Sequence, residues 1–221
     1  MSEREPMNTA TEQLVQIPVD QLHIEGMLEL PHQPQGLVLF AHGSGSSRHS
    51  PRNNYVARVL RDKGIATLLL DLLTLTEDLD YQTRFDIGLL THRLLVATRW
   101  VRTHAATRQQ AIGYFGASTG AAAALQAAAA LDQHVRAVVS RGGRPDLAGA
   151  PDLAKVSAPT LLLVGSGDTE VLELNRQAYV QLPCTKELSI IAGATHLFEE
   201  SGTLEEVARQ AAIWFSRYLK G

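Results

Sequence analysis

Six short apolar runs, spaced along the chain and separated by segments of helical periodicity, constrain the fold more than any other feature. They are "GLVLFAHG" (36–43), "IATLLLDLL" (65–73), "QAIGYFGAS" (110–118), "VRAVVSRGG" (135–143), "APTLLLVGSGD" (158–168) and "KELSIIAGATH" (186–196). Runs that are apolar on both faces suit strands buried in the middle of a parallel sheet, covered above and below. The intervening segments, roughly 53–63, 84–104, 119–131, 171–181 and 203–219, carry the apolar spacing of amphipathic or buried helices. Alternating strand and helix predicts an α/β fold: a mostly parallel twisted sheet, right-handed crossovers and helices on both faces. Before the first run, "LVQIPVDQLHIEGMLELP" alternates apolar and polar residues around a possible turn. That pattern predicts an antiparallel hairpin at the sheet edge.

The length of 221 residues and 45% apolar content suit a single domain, expected over 14–221, with 1–13 as a disordered leader. Twenty basic residues against 23 acidic ones give a net charge of −3 without a basic stripe, which argues against a nucleic-acid partner. The polar start lacks the layout of a signal peptide, and no apolar stretch approaches the roughly 20 residues that span a bilayer. Cys184 is the single cysteine, without Cys or His at ligand spacing; this argues against a disulfide or a metal site and for a half-buried packing role. The expectation is a cytoplasmic protein, monomer or homodimer, with no membrane partner.

In open parallel sheets ligands sit beyond the carboxyl ends of the strands, so the polar residues there carry the functional argument. "GYFGASTG" (113–120) ends an apolar run, turns through Gly-Ala-Ser-Thr-Gly and enters an alanine-rich helix. This is the strand-turn-helix setting of a nucleophile elbow. Flanking glycines are needed because side chains two residues either side of the serine would collide with strand and helix. A serine hydroxyl is a weak nucleophile and needs a base held by a carboxylate. Asp168 and His196, each at the end of a later strand, supply them in the chain order Ser, Asp, His. For the oxyanion of a tetrahedral intermediate, the backbone N–H of Thr119 follows the nucleophile, and "HGSGSS" (42–47) offers a second donor at Ser44, with Gly45 behind it.

On these residues, together with "HGSGSSRHSPRN" (42–53), "LLLDLLT" (68–74), "SRGGRPDLAG" (140–149) and "AGATHLFEE" (192–200), the chain resembles an α/β-hydrolase of the dienelactone hydrolase-like group over nearly all of its length after residue 14. The resemblance implies the α/β-hydrolase fold and a Ser118–His196–Asp168 triad that needs no cofactor or metal. The lactonases that give the group its name carry a cysteine nucleophile, whereas Ser118 stands here as in esterases. Small carboxylic esters are therefore the expected substrates, with lactones or thioesters as alternatives and a non-catalytic binding module as the rival outside enzymes.

Four further residues are candidates for substrate contact: Arg48 and His49 on the loop after the first run, and Arg141 and Arg144 after the fourth. A guanidinium there would hold a substrate carboxylate through paired N–H donors, and surface solvation or an ion pair is the competing role. His42 and Asp71 are expected to be structural. "TLTEDLDYQTRFD" (74–86) stands where a lid would be and predicts a short acidic loop at the mouth, open to small substrates.

Overall fold

The computed structural model describes residues 11–220. Eight strands form one sheet: β1 (Thr11–Val19), β2 (Leu22–Leu30), β3 (Leu37–Ala41), β4 (Ala66–Leu70), β5 (Ile112–Ala117), β6 (Val135–Arg141), β7 (Thr160–Gly165) and β8 (Lys186–Ile191). Their spatial order is β1-β2-β4-β3-β5-β6-β7-β8. The hairpin β1–β2 is antiparallel, β2 lies antiparallel to β4, and every later pairing is parallel. Asp20, at φ 53°, makes the hairpin turn. Strand β1 starts at Thr11, so three residues of the expected leader belong to the sheet; residues 1–10 lie outside the described residues.

The helices are α1 (Pro51–Asp62), α2 (Ile87–Thr103), α3 (Thr119–Leu131), the short α4 (Ala150–Leu153), α5 (Thr169–Gln181) and α6 (Thr203–Tyr218). Their ends follow local chemistry. Ser50 caps α1, its hydroxyl accepting the Asn53 N–H at 3.3 Å with Pro51 in the first turn, and Asp86 caps α2 by accepting the Leu89 N–H at 2.9 Å. One core packs α2, α3 and α5 against the sheet; a second packs α1 and α6 against the opposite face. Strands β3, β4, β5 and β7 are buried at every residue, as continuous apolar runs at the centre of a two-sided sheet require. Strand β8, at the edge, is only partly buried.

The buried side chains of helix α3 are mostly alanines, small enough for it to pack close against the sheet. Two glycines make the approach possible. A Cβ on Gly116 would come within 2.7 Å of Gly120 O, and one on Gly120 within 2.5 Å of His42 O. The start of α3 is thereby pressed between the exits of β3 and β5.

Candidate active site

Ser118 joins β5 to α3 with φ 51° and ψ −123°, a conformation that L-residues rarely adopt and that costs on the order of 1–3 kcal/mol. Neighbouring backbone holds it there: its N–H donates to Arg141 O at 3.3 Å, and its carbonyl accepts from Ala121 N at 3.1 Å and Arg144 N at 3.1 Å. Gly43, directly after His42, abuts the serine; a Cβ on Gly43 would lie 2.8 Å from Ser118 Cβ.

Asp168 and His196 meet. His196 Nδ1 lies 2.6 Å from Asp168 Oδ2, a charge-assisted length, with Asp168 mostly buried and His196 partly open. Asp168 also occupies the N-cap position of α5, yet its carboxylate makes no capping bond and is left to His196. A carboxylate at Nδ1 keeps the proton on that nitrogen and leaves Nε2 basic. Gly142, between Arg141 and the Ser118-bound Arg144, lies against the imidazole; a Cβ there would be 3.6 Å from His196 Cε1. Ser118 Oγ has no hydrogen-bond partner among the described residues. Such contacts are often long until substrate arrives.

Thr119 is buried at the first position of α3, where helix geometry leaves its N–H without an intrahelical acceptor. Ser44 follows Gly43 on the loop facing it. Among the described residues neither N–H donates to another group. Both therefore remain free donors beside Ser118, and the positive end of α3 adds to them.

The four candidates for substrate contact separate. Arg48 is consumed by the fold: its guanidinium pairs with Glu25 at 2.6 Å and with Asp71, whose Oδ1 also accepts the Arg48 N–H at 2.6 Å. Arg144 forms a two-pronged pair with Asp146 at 2.9 and 2.7 Å. His49 is exposed beside a cleft of about 560 Å³ lined by the 46–49 loop, by residues of 71–78 and by His23–Glu25. That cleft flanks the Ser44 loop and does not include Ser118.

Arg141 differs from the others, being 7% exposed with no carboxylate partner among the described residues. Its Nη2 reaches Asn53 Oδ1 only at 3.5 Å, its Nε is bare, and its guanidinium lies 5.7 Å from the Phe198 ring. Burial, reinforced by nearby Arg52, lowers its pKa to about 10.

His42 bonds to backbone, the Leu72 N–H and Gly43 O, and Asp71 pairs with Arg48. The segment 74–86 is not a free acidic loop. Glu77 pairs with Arg93 of α2 at 2.8 Å, Asp78 with Arg84 at 3.1 Å, Asp80 accepts from Thr83, and Asp86 caps α2. Leu75, Leu79, Tyr81 and Phe85 stand exposed beside Asp80, Gln82 and Asp86, so this surface is mixed rather than simply acidic. Cys184 is half-buried, 3.7 Å from the Thr160 hydroxyl. Among the described residues no helix is long and apolar enough to cross a membrane, and no cluster of three or more His, Cys, Asp or Glu has the arrangement of a metal site.

Known proteins share this fold. The profile of the alpha/beta hydrolase fold family matches residues 36–163. The crystal structure of a dienelactone hydrolase from Anabaena variabilis superposes with a TM-score of 0.92 at 53% identity, covering 95% of this chain and 99% of that one. Est1E from Butyrivibrio proteoclasticus shares the fold at 16% identity, with a TM-score of 0.79 over 92% of this chain and 98% of its own. A Mycobacterium tuberculosis protein named "putative phosphoribosyl transferase" is 55% identical over 207 residues, 94% of this chain but 46% of that protein. This chain thus spans about half the length of that relative. The buried parallel sheet, the strained serine turn and the matched residues together place the chain in the α/β-hydrolase family, as a dienelactone hydrolase-like member.

Proposed function

We propose that this chain is a serine hydrolase of small carboxylic esters, acting through an acyl-enzyme on Ser118. The observation that carries this reading is the 2.6 Å pairing of His196 Nδ1 with Asp168, on loops beside a serine held at φ 51°. His196 Nε2 takes the proton from Ser118 Oγ as the oxygen attacks the ester carbonyl. Asp168 holds the tautomer and stabilises the imidazolium. The N–H groups of Thr119 and Ser44 bind the oxyanion, each such donor contributing about 3–4 kcal/mol. His196 then protonates the leaving alkoxide, and water, deprotonated by the same nitrogen, releases the acid. These proton transfers need no metal or cofactor, and the substrate is the only partner required. A cytoplasmic location accords with the single unpaired cysteine.

The transferase name of the longer relatives describes a protein of which this chain matches 46%. Hydrolysis of p-nitrophenyl acetate and butyrate, followed from the first turnover, tests the reading. A burst of about one nitrophenol per chain, absent in Ser118→Ala, is expected. Equal rates in the two proteins refute it and favour the binding module.

Arg141 favours a second reading, a lactone or ester carrying an anionic group. A buried guanidinium is costly when unpaired; among the described residues this one has no carboxylate partner, and a substrate carboxylate would neutralise it. Arg141→Met should then raise KM for anionic substrates and leave neutral ones unchanged. An equal effect on both rejects this reading.

A further inference from the structure

Both ring nitrogens of His42 are engaged, and their partners settle its protonation. The Leu72 N–H, which can only donate, lies 3.0 Å from Nε2; Gly43 O, which can only accept, lies 2.9 Å from Nδ1. The ring is therefore neutral, with its proton on Nδ1. It lies almost wholly out of solvent between the exits of β3 and β4.

Gly43 O also accepts the Ser46 N–H at 3.2 Å. This carbonyl and the Ser44 N–H belong to one trans peptide unit and point in opposite directions, so fixing the oxygen fixes the N–H. That N–H donates to nothing else among the described residues, and Gly43 packs directly on Ser118. The far end of the loop is held to the same place. Arg48 is bound through its N–H and its guanidinium to Asp71, the residue before Leu72. Asp71 in turn donates its N–H to Glu25 O at 2.9 Å.

We infer that His42 is a positioning residue, which aims the Ser44 N–H at the oxyanion by clamping the Gly43–Ser44 peptide to Leu72 at the exit of β4. The inference rests on the serine-hydrolase reading. His42 never meets the substrate; it acts through the peptide that does. Substrate binding in the ground state is therefore spared, and the loss falls on the chemical step.

Three variants separate positioning from simple support. His42→Ala removes both bonds. His42→Asn places a donor where Nδ1 stood and keeps the bond to Gly43 O, whereas His42→Gln reaches only toward Leu72. With p-nitrophenyl acetate, and with folding checked by circular dichroism, His42→Ala should lose kcat about 10–100-fold with KM within about threefold, part of the full value of an oxyanion donor. His42→Asn should recover most of the rate and His42→Gln much less. If His42→Ala does not fold, the order of Asn above Gln decides. Equal activity of Asn and Gln, or a folded His42→Ala with full kcat, overturns the inference while Ser118-dependent turnover keeps the hydrolase reading intact. Turnover that survives Ser118→Ala overturns both.

Discussion

Replacing Gly120 by alanine tests whether close approach of α3 to the sheet builds the site. The new Cβ would stand 2.6 Å from the carbonyl carbon of Ala41, nearer still to its oxygen, and 2.5 Å from His42 O. Carbon–oxygen contacts normally begin at about 3.3 Å, so α3 must retreat by roughly 1 Å. Neither obstacle is a side chain that can swing aside; both are backbone at the end of a fully buried strand. Overpacking of this kind costs about 1–3 kcal/mol, and the upper end applies because the first seven residues of α3 are buried. For a domain of this size, about 3 kcal/mol corresponds to a fall in Tm of roughly 6–12 °C. The same retreat carries Ser118 and the Thr119 N–H away from the Ser44 loop, so ester turnover should fall at least about tenfold even where the variant remains folded. Gly88→Ala in the first turn of α2, where the nearest atom is Asp86 Oδ1 at 3.3 Å, is the control. It should leave Tm within about 3 °C and activity unchanged. A Gly120→Ala protein that melts with the parent and hydrolyses esters at the parental rate refutes the reasoning.

Asp168→Asn should lower kcat about 10³–10⁴-fold with little change in Tm, because the amide cannot stabilise the imidazolium and competes for the wrong tautomer; a loss under tenfold would remove Asp168 from the mechanism. Arg141→Met retains the apolar stem and removes a charge whose pKa has fallen to about 10, a penalty of about 3 kcal/mol. Calorimetry should find stability unchanged or higher at neutral pH, and a loss beyond about 2 kcal/mol would mean that the guanidinium is well satisfied. Burial holds the His42 pKa below its ordinary 6.5, so the unfolded chain takes up this proton first. The stability this side chain contributes is complete above pH 6.5 and is lost as pH falls through the lower folded-state value. His42→Asn should therefore show a shallower fall in Tm between about pH 7.5 and 5 than the parent, and parallel curves would contradict it.

Element order and type were legible because burial on both faces leaves a continuous apolar run, and the six runs correspond to β3 through β8. The Ser118 turn was legible for a local reason: the glycines that admit the helix lie within five residues of the strained serine. Element ends were less so. Helix α1 begins at Pro51, two residues before its apolar periodicity does, although the Ser50-Pro51 pair is itself a start signal. The four-residue α4 is too short to have a period.

The sequence by itself determined the sheet, the turn and the order Ser, Asp, His, since each depends on neighbours in the chain. Partnership across the fold was decided only by tertiary structure. The three arginines among the candidate contacts show this best: Arg48 is neutralised by Glu25 within β2 and by Asp71 after β4, Arg144 by Asp146, and Arg141 by no carboxylate among the described residues. In the chain they are equivalent cations on strand-end loops. Likewise the acids of 74–86 look like a charged mouth until Arg93, from the middle of α2, and Arg84 neutralise two of them, while apolar residues of the same segment stand exposed. His42 reads as one more loop histidine until Leu72, thirty residues on, supplies the N–H that fixes its tautomer. A charge or a ring nitrogen acts through whatever lies within about 3 Å, and chain folding alone decides what that is.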